Sequence, residues 1–445
     1  MPAALVWFRN DLRLDDQPAL QAALAQGYAP IPVYVHAPEE EGAHGAGAAS
    51  DAWRRRSLAA LDAALRARGS RLICLHGPTR GALERLASTV AAEAIFWTRR
   101  YEPSIERRDT ELKRAFRQSG LHAESHNGAL LVEPWDVATQ HGDPYKVFTP
   151  FWKNAGVRIR AFKGWTAPDR LSAVDSDGGV AIDVLLPAPR PEWDRGFWTQ
   201  WTPGEAGAHE ALQSFLSKVA AYPEGRDLPA EAGTSLLSPH LHFGELSVHR
   251  VHAAIAACDA PEEARAAYLR QLGWREFAYH LLHRFPHTVE RNLDPRFDDF
   301  DWAPFDAGRF DAWSSGRTGI PIVDAGMRQL LHTGWMHNRV RMLVASFLTK
   351  HLRMHWSHGA RWFMDTLVDA DLANNTLGWQ WVAGTGADAA PYFRIFNPLL
   401  QAKRFDPDGA YVRRWVPEAG TPAYPKPIVD LAQAREDALA ALRNR

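Results

Sequence analysis

The chain has 445 residues, 46% hydrophobic and 23% charged, which allows two or three buried cores and excludes disordered and collagen-like classes. Its 51 Lys and Arg oppose 52 Asp and Glu for a formal charge of -1, so a polyanionic partner has to be met by a local basic patch and not by a global field. Cys74 and Cys258, the two cysteines, exclude a disulfide scaffold or four-thiolate metal site. No apolar run reaches the roughly 18 residues of a membrane span, and Met1-Pro2-Ala3-Ala4 lacks the basic start of a secretory leader. A cytoplasmic protein without membrane contact is expected.

Residues 1–130 alternate short apolar runs (Leu5 to Phe8, Ile31 to His36, Leu72 to His76, Ala94 to Thr98, Leu121 to Ser125) with amphipathic stretches such as Trp53 to Arg68 and Thr79 to Val90. This alternation predicts an α/β domain with a doubly wound parallel sheet. The first βα turn, Arg9 to Asp16, contains no glycine, which argues against a G-x-G-x-x-G dinucleotide site, where a pyrophosphate must approach the backbone closely. Residues 131–204 are rich in Pro, Gly and Trp and read as a connector. Residues 205–445 carry helical periodicity over Ala208 to Ala221, Glu262 to Arg284, Pro321 to His332, Arg339 to Met354 and Ala360 to Val368, which predicts an all-α domain.

Of the 18 Trp, 15 follow residue 130, a bias that suits redox or base-stacking work. Thr234-Ser235-Leu236-Leu237-Ser238-Pro239 offers hydroxyls and a helix start, which either binds an anion or is an ordinary cap. Asp369-Ala370-Asp371-Leu372-Ala373-Asn374-Asn375 places two acids and two amides together, either to grip a sugar, a flavin or a cation, or to mark a turn. A half-buried Asp369 needs a partner such as Arg341. The histidine rows 351/355/358 and 280/283/287 share helical faces but lack an H-E-x-x-H pattern or a completing carboxylate, so no metal is expected.

Several long motifs in order give the chain a family resemblance: Val6-Trp7-Phe8-Arg9-Asn10-Asp11-Leu12-Arg13-Leu14, Gly316-Arg317-Thr318-Gly319-Ile320-Pro321-Ile322-Val323-Asp324-Ala325-Gly326-Met327-Arg328, Trp335-Met336-His337-Asn338-Arg339, Gly378-Trp379-Gln380-Trp381 and Tyr392-Phe393-Arg394-Ile395-Phe396-Asn397-Pro398. With them the sequence resembles the photolyase/cryptochrome flavoproteins over essentially its whole length. The resemblance implies an antenna-type N-terminal domain and a helical domain holding bent FAD. Tyr222, Thr234, Ser235, Leu236, Leu237 and Ser238 would serve the FAD pyrophosphate and its surroundings, Arg341, Asp369 and Asp371 the isoalloxazine and sugar side, and Asn375 the flavin N5.

By the same resemblance Trp379, Trp356 and Trp302 form a photoreduction chain, with Trp313 as a rival for the outer place. Trp274 and Trp381 would pack against a flipped pyrimidine dimer, Asn338, Arg339 and Met342 would contact it, and Arg226 and Gln401 would sit at the DNA entrance. The expected function is light-driven repair of cyclobutane pyrimidine dimers in damaged DNA by a monomer. A cryptochrome-like sensor and six-four lesion repair are the alternatives. Gln271 stands where cyclobutane-dimer enzymes have Glu, and an amide cannot titrate, so weakened repair is expected. Tyr101 to Glu106 resembles a folate-antenna region with Ser104 and Ile105 in place of its Asn-Glu pair. Methenyltetrahydrofolate, a deazaflavin and an empty antenna site all fit.

Overall fold

The computed structural model describes residues 1–173, 178–389 and 393–443; Tyr392 of the last motif lies outside them. Five strands, β1 (Ala3–Phe8), β2 (Ala29–His36), β3 (Ile73–His76), β4 (Ala92–Thr98) and β5 (His122–His126), form one sheet in the order β3-β2-β1-β4-β5. Every pairing is parallel, and Trp7 of central β1 lies between Val33 and Trp97. Helices α1 (Pro18–Ala25), α2 (Ala48–Arg66), α3 (Thr79–Thr89) and α4 (Pro103–Gln118) make the crossovers.

Period-two alternation sends Leu5 and Trp7 to the face covered by Leu83 and Leu86 of α3 and Phe116 of α4. Ala4, Val6 and Phe8 go to the opposite face, where Leu20 of α1 and Trp53 of α2 meet Phe243, Trp335 and Val368 of the helical half. One face of the sheet is thereby part of a core shared with the helices.

The strand order reverses between β1 and β4, where open α/β sheets usually bind ligands. Here side chains fill the crevice. Arg9 donates to the Thr98 carbonyl at 3.0 Å and pairs with Asp109, while Asp11 accepts from Gln17 at 2.6 Å and the Thr98 hydroxyl at 2.8 Å. This filled turn is the physical counterpart of the missing glycines.

The connector is not featureless. Its helix α5 (Phe148–Gly156) places Phe148 and Phe151 against Phe277 and Leu281. The helical half then runs through α6 (Glu205–Leu216), α7 (Val248–Ala257), α8 (Glu262–Arg284), α9 (Pro321–Thr333), α10 (Asn338–Ser346), α11 (Trp356–Thr366), α12 (Leu372–Ala383), α13 (Pro398–Phe405) and α14 (Leu431–Arg443), with further short helices, Ala307–Ser314 among them, and turns between. α6 stops at Leu216, short of the expected Ala221, and the stretch expected to run to Met354 leaves α-geometry at Ser346 and continues as a wide turn, Phe347–His351.

α8 is buried on several sides, its Leu272, Phe277 and Tyr279 each entering a different core, so it acts as the central post. The Gly316–Arg328 motif is explained by Asp324, whose carboxylate accepts from the Thr318 N–H (2.7 Å), the Thr318 hydroxyl (2.6 Å), the Gly319 N–H (3.1 Å) and the Tyr424 hydroxyl (2.5 Å). A buried carboxylate satisfied this fully ties the start of α9 to the segment before α14.

Candidate active site

A cavity of about 680 Å³ opens between α8, α10 and α12. On one wall, Arg341 of α10 donates from Nε to the Met336 carbonyl (2.7 Å) and from Nη2 to Asp369 Oδ2 (2.9 Å). This is the partner that the acid, buried in the structure, requires. Asp369 Oδ1 is buried and has no hydrogen-bond partner among the described residues, and neither does Trp379 Nε1. An unsatisfied buried acceptor costs about 1–3 kcal/mol, which a ligand N–H or O–H can relieve.

Asp371 lines the same wall, but protein donors already surround it. Its Oδ1 caps α12 through the Asn374 backbone N–H (2.8 Å) and takes the Asn374 amide (2.7 Å), Oδ2 accepts from the Tyr279 hydroxyl, and His242 lies 3.7 Å away. Burial works against ionisation, yet His242, Arg275 and Tyr279 outweigh it and hold the Asp371 carboxyl well below the usual range. Asn375, one turn into α12, donates Nδ2 to the Ala360 carbonyl at 2.9 Å. That bond uses one of the two Nδ2 hydrogens, so Oδ1 and the second N–H remain for a ligand.

Two indoles form aromatic walls. Trp274 of α8 stacks on Phe148 of the connector, centroids 3.9 Å apart and planes 7° apart. Gly273 beside it makes room for Trp152, since a Cβ there would lie 2.6 Å from that indole. Trp381 of α12 lies under Arg394 at 4.8 Å. Asn338 is exposed at the rim, and Arg339 is anchored by Asp227 at 2.7 Å.

Gln271 sits at the mouth, its Oε1 accepting from Arg226 Nη2 at 3.2 Å and its Nε2 donating to Ala267 O at 3.3 Å. A carboxylate in this place would face the Arg226 guanidinium and be held ionised.

The cavity wall thus brings together Arg226, Gln271, Trp274, Asn338, Arg339, Arg341, Met342, Asp369, Asp371, Asn375, Trp379 and Trp381. Tyr222, Thr234, Ser235, Leu236, Leu237, Ser238 and Gln401 are not part of that wall. The 234–238 segment turns through a left-handed Leu236 (φ 55°), and the Ser235 hydroxyl accepts from Tyr268 of α8 at 3.0 Å. Tyr222 meets Tyr268 edge-on at 5.2 Å and carries Arg226 over its ring at 5.4 Å, which links this cluster to the mouth. Arg275, Tyr279 and Phe148 lie outside the motifs, and Arg394 stands within one without an assigned role. Arg275 and Tyr279 share a face of α8 at i and i+4 and could have been found by that spacing; Phe148 arrives from the connector and had no such signal.

Trp379 is buried on the cavity wall, Trp356 is buried in the same hydrophobic core, and Trp302 is partly exposed. Trp356 donates to Asn292 Oδ1 at 3.0 Å. The rival Trp313 has no exposed surface and donates to the Val344 carbonyl at 3.0 Å. It lies 6.2 Å from Trp379 and cannot be the solvent-facing end of a chain.

Of the two histidine rows, His280 accepts the Tyr145 N–H at 3.1 Å and His355 caps α11. Among the described residues, ligand atoms of Asp15, Glu205 and His209 come within 4.8 Å of one another. Glu205 already accepts from Leu14 (2.9 Å) and Asp15 (2.8 Å), and Arg250 lies 3.6 Å from Asp15.

Residues 4–168 match the family model described as DNA photolyase, and residues 268–422 match the FAD binding domain of DNA photolyase. A deoxyribodipyrimidine photo-lyase of Agrobacterium fabrum is 44% identical, over 98% of this chain and 97% of its own length. The chain belongs to the DNA photolyase family. A class III photolyase structure from Agrobacterium tumefaciens superposes with a TM-score of 0.95 at 44% identity, covering 100% of this chain and 98% of that one. An archaeal photolyase from Sulfolobus tokodaii, described with two FAD molecules and a novel light-harvesting cofactor, superposes at 0.85 with 30% identity over 100% of both chains.

The donor set of this photolyase cavity fits a flavin: an orphaned Asp369 oxygen, the Arg341 guanidinium, and the free side of the Asn375 amide. A second cleft of about 480 Å³ lies between residues 42–47 and helices α11 and α12. The notch at the end of β1, by Trp7, Arg9 and Arg108, has only about 30 Å³ and is too small for a ring system. No helix of the described residues is long and apolar enough to cross a membrane.

Proposed function

We propose that this chain is a light-driven deoxyribodipyrimidine photo-lyase that splits cyclobutane pyrimidine dimers, with FAD held in the 680 Å³ cavity. The observation that carries the reading is that one cavity combines the polar wall of Arg341, Asp369 and Asn375 with the aromatic walls Trp274 and Trp381. Bound FAD supplies the light-excited electron that opens the cyclobutane ring and then regains it.

The protein orients both reactants. Arg341, fixed by Met336 O and Asp369, holds negative charge on the flavin side, and the Asn375 oxygen accepts from a ring N–H. Tyr222 and the 234–238 hydroxyls would hold the phosphate end. A dimer stacked inside a duplex cannot reach this wall, so it must leave the helix, at a cost of a few kcal/mol. Stacking on Trp274 and Trp381, about 1–3 kcal/mol per base, offsets that cost.

Gln271 presents a carbonyl and an N–H, the complement of a thymine imide edge, while Asn338, Arg339 and Met342 border the lesion. Arg226 and Gln401 would meet backbone phosphates at the entrance. Trp302, Trp356 and Trp379 would return oxidised FAD to its working state. An antenna pigment, methenyltetrahydrofolate or a deazaflavin, would occupy the 480 Å³ cleft, which reaches Asn375 on the flavin side and whose lining does not include the Tyr101–Glu106 stretch.

The decisive experiment illuminates the reduced protein with blue light in the presence of an oligonucleotide carrying one thymine cyclobutane dimer. Restored thymine absorbance supports the reading. An unchanged dimer in a protein that holds FAD, with six-four lesions likewise untouched, would overturn it.

A further inference from the structure

The route from Trp356 to the surface has an imidazole set into it. The His355 ring touches Trp356 (centroids 5.3 Å, planes at 33°) and Trp302 (5.2 Å, 75°). His355 precedes α11 and caps it, with Nδ1 accepting the Ser357 backbone N–H at 3.2 Å and lying 2.8 Å from the Ser357 hydroxyl. A ring nitrogen that accepts carries no proton, so the cap selects the neutral ring with its hydrogen on Nε2.

The charged groups around the ring reinforce that choice. Burial comes first, followed by His358 and Arg361 of α11, and together they push the imidazole pKa down to about 4. On the other side, Asp301 beside Trp302 is paired with Arg353 at 2.8 Å. No carboxylate among the described residues pairs with His355.

A unit charge about 5 Å from an indole shifts the equilibrium for placing a positive hole there by on the order of a hundredfold at an effective dielectric of about 20. The two centroid distances are nearly equal, so a charge on His355 would penalise holes on Trp356 and Trp302 alike. It would leave the step between them balanced and oppose the arrival of the hole on Trp356. Trp379 packs against Gly359, one turn further along α11, and is less affected.

We propose that His355 is the positioning and gating residue of the tryptophan chain: its uncharged imidazole holds Trp302 beside Trp356 and lets both carry a positive hole, whereas a charge there confines the hole to Trp379. This rests on the reading that the three tryptophans feed electrons to FAD. One electron leaves Trp379 for light-excited FAD, Trp356 refills Trp379, Trp302 refills Trp356, and an external thiol refills Trp302. FAD is reduced, the thiol is oxidised, and no bond in the chain is made or broken.

The test compares flash-induced indole radicals in the FAD-loaded protein with His355→Asn, which is uncharged and can still cap α11, and with His355→Arg, a permanent cation. At neutral pH the Arg variant should lose roughly tenfold or more of the radical yield on the outer indoles, while the Asn variant stays close to the parent. In the parent, NMR of the dark protein should show His355 titrating near pH 4, with radical yield falling over that same interval and the Asn variant flat. Equal yields in the two variants would overturn the proposal, as would a parent yield flat through the measured titration. If the Arg variant does not fold, the pH comparison decides. Absence of any indole radical in the parent would overturn the chain itself, and this proposal with it.

Discussion

A methyl group on Gly359 would stand 2.0 Å from Cη2 of Trp379, so the absence of a side chain there is what lets the outer edge of the indole reach α11. Trp379 is thereby clamped between Gly359 and Phe363, whose ring centre is 5.0 Å away. Gly359→Ala should destabilise the fold by about 1–3 kcal/mol through overpacking and displace Trp379. Thermal unfolding with near-ultraviolet circular dichroism checks both, and an unchanged spectrum at unchanged stability would contradict the clamp.

Removing the guanidinium from the Arg341–Asp369 pair leaves a buried carboxylate without compensation. Arg341→Met should weaken FAD binding and cost about 3 kcal/mol of stability, whereas Asp369→Asn, which removes the acid, should chiefly affect the flavin. Flavin retained through gel filtration and urea unfolding separates the two effects.

Gln271→Glu should place an ionised carboxylate beside Arg226. A charged acceptor for the thymine N–H exceeds a neutral one by about 1 kcal/mol, so binding of dimer-containing DNA should tighten by roughly fivefold, with repair rising in step. Titration with a labelled dimer oligonucleotide reads the affinity; a weaker complex would show that the amide is the better partner.

His337 caps α10 by accepting the Arg339 N–H at 3.2 Å. Burial, the leading cause, and Arg341 and Arg339 push its pKa down to about 4 against the partial opposition of Asp227. The unfolded chain then binds more protons than the folded one between about pH 6.5 and 4, so stability is complete above that window and falls as pH drops through it, by about 3 kcal/mol for this one group. His337→Asn keeps a capping oxygen and should flatten the slope by one proton, as measured by unfolding across that range.

Trp302→Phe should slow light-driven reduction of FAD, because Trp302 is the partly exposed member of the proposed chain, while Trp313→Phe should leave that rate unchanged and lower the melting temperature through the lost Val344 bond. Photoreduction followed at the flavin absorbance distinguishes them. Equal slowing by both variants would make Trp313 a carrier.

The β1 turn shows how far local pattern reaches. Period-two apolar runs dictate which face each strand residue takes, and a turn without glycine already excludes a close pyrophosphate; Arg9, Asp11 and Thr98 supply the material reason. Glu262–Arg284 was legible as one helix because its apolar positions repeat without interruption. The long motifs marked the cavity residues of α10 and α12, since those stretches carry polar groups at positions where periodicity calls for apolar ones.

Other relationships depend on side chains brought together from distant parts of the chain, and no window of sequence contains them. Phe148 stacks on Trp274 from a connector that reads as irregular, Arg226 reaches Gln271 across 45 positions, and His355 wedges between Trp302 and Trp356. Whether Asp371 is free or already satisfied depended on Tyr279 and His242, which only folding brings to it. Sequence determined the helices, the sheet and the identity of the polar groups, because those follow from local periodicity and chemistry. The tertiary structure decided which of those groups are already paired and which remain open to a ligand, because a hydrogen bond is a matter of distance and orientation.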